Sequence, residues 1–219
     1  MQAQLFHLHA LSALHCGTGQ SVGVVDLPIA RARATQLPIV PGSSLRGVLR
    51  QAVTRSDKAA ALSLFGPESI SGNDEAFAGA LAVGDAHLLL LPVRSLAGVV
   101  CFATSPFILR RYQQDVQRAG VQAVPALPPA LGANTAQVAQ GSVNVLKTML
   151  VLEDVDLPAQ TVGGATAWAE FIAQRIYPDD KTAHADLCSR FAILPDDIFS
   201  FLAETATEIR TRIAIDAET

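Results

Sequence analysis

The stretch "LPIVPGSSLRGVLR", residues 37–50, changes character at its centre. Leu37–Val40 reads as a strand. Pro41 disfavours helix before it, Gly42 permits a tight turn, and Ser43 or Ser44 suits a helix N-cap. Beyond the turn, Leu45, Val48, Leu49 and Ala52 follow the i, i+3, i+4, i+7 rule. That spacing predicts a helix over 43–55 with those four side chains buried. Arg46 and Arg50, four apart, share a different face. The first N–H groups of a helix lack internal partners, and the dipole favours an anion beside them. Small residues let a phosphate come close, and the two arginines extend the positive potential along one flank. An ordinary capped helix with two solvated arginines has the same sequence.

Charge is distributed unevenly around this stretch. The 219-residue chain carries a net −4 and is 50% hydrophobic, enough for a substantial core. Residues 1–55 hold five arginines and one acid, Asp26, for +4, and the remainder carries −8. One basic surface on a solubilising body is the expectation. Cys16, Cys101 and Cys188 lie far apart with no metal-ligand spacing, which argues against structural zinc and fits a reducing, cytoplasmic setting. No signal-peptide pattern opens the chain, and the longest apolar run, near 86–93, is too short to span a bilayer.

Working outward, residues 3–15 and 79–93 read as strands, and 99–104 as a return strand after a turn at "RSLAG". Thr104 or Ser105 caps a helix with Pro106 in its first turn, running through "FILRRYQQDVQRA", residues 107–119. Residues 119–143 are Pro-, Gly- and Ala-rich and read as a loop insertion. Residues 146–153 look extended, 166–176 and about 180–204 helical, and 206–215 extended. Strand, helix, strand, strand, helix begins a split βαβ, ferredoxin-like fold, whose last strand is not obvious in the sequence.

"CGTGQSVGVVDLPI", residues 16–29, carries Gly17, Gly19 and Gly23 but fails as a dinucleotide fingerprint: the third glycine is one place late and no helix pattern follows. No Gly-Lys-Ser/Thr occurs either. The glycines suit a loop that approaches a polymer. Asp26 is the lone carboxylate near the arginines, where it would repel phosphate unless it holds a metal or orients a hydroxyl. Pairing with Arg31 or Arg33, or a plain turn role, is the alternative. His15, just before the loop, could assist proton transfer or simply pack. His7 and His9 receive no chemistry.

With these residues in view, "GTGQSVGVVDLPIARARATQLPIVPGSSLRGVLR" resembles the N-terminal signature of the RAMP superfamily. Within it the chain is similar to the backbone subunit of type III-B (Cmr) CRISPR effector complexes. "LFGPE" at 64–68, "GDAHLLLLPVRSLAGVVCFATSPFILRR" at 84–111, "VLEDVDL" at 151–157 and "TRIAIDAET" at 211–219 carry the resemblance along nearly the whole chain. It implies an α+β, RRM-like (ferredoxin-like) palm, an antiparallel sheet with helices on one face and large helical and loop insertions. On that basis 1–219 is one RAMP domain. Residues 1–118 and 144–154 form the palm core, 119–143 a loop insertion, 155–205 a helical insertion, and 206–219 the start of a thumb hairpin. The closing strand is then missing, and the chain stops at the thumb.

The resemblance also implies a function. Copies of the subunit would line up along a crRNA beside other type III-B subunits, in the cytoplasm and not at a membrane. Asp26 would cleave paired target RNA with a divalent metal, Mg²⁺, bound by Asp26 and RNA phosphate, and His15 would help. Gly17, Gly19, Arg33, Gly42, Ser43, Ser44, Arg46 and Arg50 would contact RNA. A non-catalytic scaffold coating guide RNA, as in type III-A-like relatives, and a small-molecule phosphate-binding enzyme are the rivals.

Overall fold

The computed structural model describes residues 2–17, 28–67, 77–129 and 131–208. The chain separates into two compact units, Leu14–Leu88 and Met1–Ala13 with Leu89–Thr219.

In the first of these, β1 (Ile39–Val40) leads directly into α1 (Gly42–Ser56), followed by α2 (Lys58–Phe65) and β2 (Ala86–His87). β1 and β2 pair antiparallel, Ile39 opposite His87 and Val40 opposite Ala86. Asp57 separates the two helices and caps the second, its Oδ1 accepting from the N–H groups of Ala59 and Ala60 at 2.9 and 3.0 Å. The expected helix at 43–55 is present, but its apolar stripe is not buried. Val48 is 67% exposed, Leu49 40%, and Ala52 is exposed too. The reason is that α1 turns its arginines, not its leucines, toward the end of α2, as described below.

The larger unit holds β3 (Leu91–Ser95), β4 (Val99–Thr104), α3 (Pro106–Arg118), β5 (Ala136–Val138), β6 (Val145–Leu146), β7 (Met149–Leu152), β8 (Val155–Thr161), α4 (Gly163–Ile176), α5 (Lys181–Ser189), β9 (Phe191–Ile193) and α6 (Asp196–Thr205). The strand order is β3-β4-β9-β5-β8-β7-β6, and a pairing of Ser95 with Leu152 joins β3 back to β7. The expected α+β class holds. The sheet is mixed: β4–β9 and β5–β8 are parallel, the other pairs antiparallel.

Several elements differ from expectation. Residues 2–10 form no regular strand; side chains hold them instead. His7 Nε2 and the Tyr112 hydroxyl share a hydrogen bond at 2.7 Å, and His9 lies edge-on to Tyr177. The long strand expected at 79–93 is two short ones, β2 and β3, one in each unit. Pro92 fits β3 because that strand is paired continuously on one side only, so its missing N–H leaves no gap in the ladder. The loop at 119–143 contains β5, and 155–205 is not wholly helical, since it contains β8 and β9. In β8, residues 155–158 pair with β7 and 159–161 with β5, and Pro158 sits where the partner changes. The helix expected over about 180–204 is two helices, α5 and α6, separated by β9, which lies between β4 and β5. The extended reading of 206–215 falls mostly outside the described residues.

The core of this unit sits where α3 and α4 cover the sheet. Leu109, Tyr112 and Val116 of α3 meet Ala165, Trp168, Ala169, Ile172 and Ala173 of α4, with Phe191 and Ile193 of β9 beneath. Ser105 caps α3, Pro106 occupies its first turn, and Asp196 accepts from the Phe107 N–H at 2.9 Å. Trp168 is fully buried, with its indole N–H on the Ala126 carbonyl at 2.9 Å. It thereby ties the 119–135 segment to α4.

Trp168→Ala empties a site of this size and frees that carbonyl, so urea unfolding should register a loss of about 3–5 kcal/mol. His7 supplies a pH signature. Burial first, then the Arg175 charge, holds its pKa below the ordinary 6.5. A base depressed in the folded state contributes stability above its unfolded pKa, and loses it as pH falls through the folded value. The melting temperature should therefore fall as pH drops below about 6.5, and His7→Gln should lessen that fall.

Candidate nucleic-acid interface

The unit formed by Leu14–Leu88 gathers most of the sequence-expected site residues that the structure describes. Gly17 forms an antiparallel bridge with Ile29, and the Cys16 carbonyl accepts from the Ala30 N–H at 2.6 Å. The two ends of the glycine loop are thus pinned together. The Ala30 carbonyl in turn accepts from the Ile39 N–H at 3.0 Å, joining those ends to β1 and so to α1. His15, half-buried, immediately precedes the pinned pair. Gly19 and Asp26 lie outside the described residues.

A second hairpin-like turn spans 31–38, closed by an Arg31–Pro38 bridge and by the Ala32 N–H on the Leu37 carbonyl at 2.9 Å. The Arg31 guanidinium donates to the Gln36 carbonyl at 2.7 Å, inside the turn. Gln36 takes a positive φ of 57°. Arg33 stands exposed at the turn's tip.

The start of α1 has an internal occupant. The Gly42 N–H donates to Asp85 Oδ1 at 2.7 Å. A Cβ at Gly42 would fall 2.5 Å from the Val83 carbonyl oxygen and 2.8 Å from the Gly84 carbonyl carbon. The close approach that requires glycine here is therefore to the protein's own backbone. Pro41 precedes the helix without a side-chain cap, and no acid lies in its first turn. Ser43 and Ser44 are exposed.

Arg46 and Arg50 point along α1 toward the carbonyl end of α2. Arg46 Nη2 donates to the Phe65 carbonyl, and Arg50 donates to the Gly66 and Pro67 carbonyls at 2.9 and 3.3 Å. Those are the acceptors a helix end leaves unsatisfied, and cations suit the negative end of the dipole. Arg46 remains exposed and Arg50 half-buried, so both still add positive potential to the helix.

Beside them a shallow groove is lined by Ser43, Ser44, Gly47, Arg50, Arg55 and Lys58. Among the described residues no carboxylate lines it. Arg55 and Lys58 were missed by the sequence reading. Counting from Ser44 in steps of three and four through Gly47 and Gln51 reaches Arg55, and that periodicity would have found it; Lys58 lies past the break at Asp57, beyond the reach of that count. Gly47 faces open space, with no atom within 4 Å of a Cβ placed on it. Among the described residues no three His, Cys, Asp or Glu side chains come together as a metal-ligand cluster. No helix among them is long and apolar enough to cross a membrane.

A family model described as the RAMP superfamily matches residues 7–219. The chain is 36% identical over 222 residues to the CRISPR system Cmr endoribonuclease Cmr4 of Pyrococcus furiosus, covering all of this chain and 73% of that protein. It resembles the crystal structure of oligomeric Cmr4 from Pyrococcus furiosus, with a TM-score of 0.70 and 32% identity over 84% of this chain and 68% of that one. A type III-B Cmr-beta complex bound to cognate target RNA contains a chain of the same fold, with a TM-score of 0.61 and 16% identity over 94% of this chain and 70% of that one. On the family match and the full-length identity together, the chain belongs to the RAMP superfamily, as a homologue of Cmr4.

Proposed function

We propose that this chain is a backbone subunit of a type III-B CRISPR effector, coating crRNA and cutting complementary target RNA as an endoribonuclease. The observation that carries this reading is the shared hydrogen-bond relay from Cys16 through Ala30 to Ile39. It ties residues 16 and 30, either side of the segment that carries Asp26, to the strand that leads into α1 and its groove. That connection supports reading the two as parts of one RNA-binding surface. The 36% identity to a protein named as a Cmr endoribonuclease supports the activity.

In this reading the guide backbone follows the α1 groove. Ser43 and Ser44 offer hydroxyl donors, and Arg46, Arg50, Arg55 and Lys58 supply charge. Arg33, Gly17 and Gly19 approach RNA from the loops, and Gly42 keeps the start of α1 closed on its own backbone. The target's 2′-hydroxyl, present only in RNA, attacks the adjacent phosphorus in line; its proton is lost, the P–O5′ bond breaks, and a 2′,3′-cyclic phosphate and a protonated 5′-hydroxyl result. Asp26 orients or deprotonates that hydroxyl, and His15 assists proton transfer. A divalent cation such as Mg²⁺, held by Asp26 and phosphate oxygens, would stabilise charge on the phosphate. Since the protein contributes one carboxylate, the RNA supplies the other ligands. Copies of the chain and other type III-B subunits complete the cytoplasmic particle. Sequence choice belongs to base pairing, as in other guided effectors.

Two measurements check this. Asp26→Asn should lower target cleavage by about 10²–10⁴-fold while guide and target affinities stay near wild type. Loss of binding together with cleavage, or of neither, refutes the assignment. Arg55→Ala with Lys58→Ala should weaken guide binding and make the slope of log K against log salt shallower by roughly 1 to 1.5. An unchanged slope means the groove does not carry the backbone.

A further inference from the structure

In the larger unit an open groove of about 690 Å³ lies between α4, His184 of α5 and the segment at 123–125. Small-molecule sites measure about 300–1,000 Å³. One wall is Val124 and Pro125, and it is anchored from behind. Gln113 Nε2 donates to the Pro125 carbonyl at 3.0 Å, and the Trp168 indole donates to the Ala126 carbonyl at 2.9 Å. The opposite wall is one face of α4. Glu170 and Gln174 stand four residues apart on it, beside Phe171 and Arg175, also four apart.

This groove holds two opposite charges that do not meet each other. The Arg175 guanidinium carbon lies 3.4 Å from the Phe171 ring centroid, and its Nη1 donates to the Phe171 carbonyl at 2.8 Å. The arginine is thus fixed as a plane, and it pairs with no carboxylate among the described residues. Glu170, exposed, makes no hydrogen bond or ion pair among them either. Its charge is felt on α5: burial first, and then Glu170, raise the Cys188 thiol above its usual pKa.

A fixed guanidinium plane suits a stacked nucleobase. An ionised carboxylate only accepts, through two oxygens side by side. Among the four RNA bases, guanine alone presents two adjacent N–H donors, N1–H and N2–H, on its Watson–Crick edge. The other three place an acceptor next to a donor there, and a carboxylate repels the acceptor. We propose that this groove is a binding site for a guanine base. Arg175 stacks on the ring, Glu170 accepts from N1–H and N2–H, and Gln174, one turn along α4, donates to O6. The base can belong to a free guanine nucleotide or to an unpaired position of an RNA strand. The proposal draws on none of the residues assigned to the guide or to cleavage, and so does not depend on the effector reading.

The test titrates the full chain with GMP, IMP and AMP by calorimetry and by amide NMR. GMP should bind about tenfold or more tightly than AMP, the discrimination of a bidentate base contact. IMP, which lacks the 2-amino group, should bind more weakly than GMP. Shifts should centre on 123–125, 167–175 and 184. Glu170→Gln should bring GMP down to the level of AMP with an unchanged melting temperature. Equal affinity for GMP and AMP, a preference that survives Glu170→Gln, or shifts centred on α1, where phosphate alone would bind, each overturn the proposal. A short oligouridine carrying one guanine separates the sources. Tighter binding than GMP, with the same shifts and loss in Glu170→Gln, assigns the site to RNA; binding no tighter than GMP assigns it to the free nucleotide.

Discussion

The hydrogen bond from the Gly42 N–H to Asp85 fixes where α1 begins, and the basic groove follows from that point. A helix start leaves several N–H groups without intrahelical partners, and an anion there is favoured by the dipole. Here the anion at the first position is the protein's own carboxylate. The missing Cβ of Gly42 lets residues 83 and 84 approach closely enough for Asp85 to reach it. An alanine at 42 would push that segment away and uncouple β2 from the helix. What remains open to an outside phosphate lies further along, at Ser43, Ser44 and the groove beyond them.

The same economy governs the arginines. Arg46 and Arg50 terminate α2 by donating to its last carbonyls, so each has a structural task besides its charge. A hydrogen bond to a charged group is worth about 1.5–3 kcal/mol where it is sheltered, and less at a solvent-exposed site. Removing either arginine therefore perturbs the end of α2 as well as the local potential. Among the described residues Arg55 and Lys58 line the groove without such carbonyl contacts, which makes them the cleaner reporters of electrostatic binding.

Which parts of this were legible depended on how local the signals are. Pro41-Gly42-Ser43 and Ser105-Pro106 announce α1 and α3 because turn chemistry and capping act over four residues. Most of α4 was legible as the helical stretch 166–176. β5 and β9 escaped because three residues, "AQV" and "FAI", are too few to display a period of two, and both acquire their identity from neighbours far away in sequence. β9 forms only because β4 and β5 flank it. The apolar stripe of α1 was misread for a related reason: amphipathic spacing says which residues share a face, not which face meets the neighbouring helix. Of the site, Gly42, the serines and the arginines could be named from sequence, but not that Gly42 serves Asp85 or that Arg46 and Arg50 serve α2.

Net charge alone would have argued against a polyanion partner, and the fate of the carboxylates explains why it misleads. Asp85 is engaged at the start of α1, Asp57 at the start of α2, Asp180 at the start of α5 and Asp196 at the Phe107 N–H of α3. Each is spent on backbone N–H groups, where a negative charge complements a helix dipole. Asp57 is the telling case, since it sits between Arg55 and Lys58 in sequence. Held on the N–H groups of Ala59 and Ala60, its charge is drawn toward the α2 backbone and away from the groove its neighbours line. A chain can therefore be acidic in sum and still offer a cationic groove, because Asp57 and Asp85, the described acids of that unit, are engaged at helix starts.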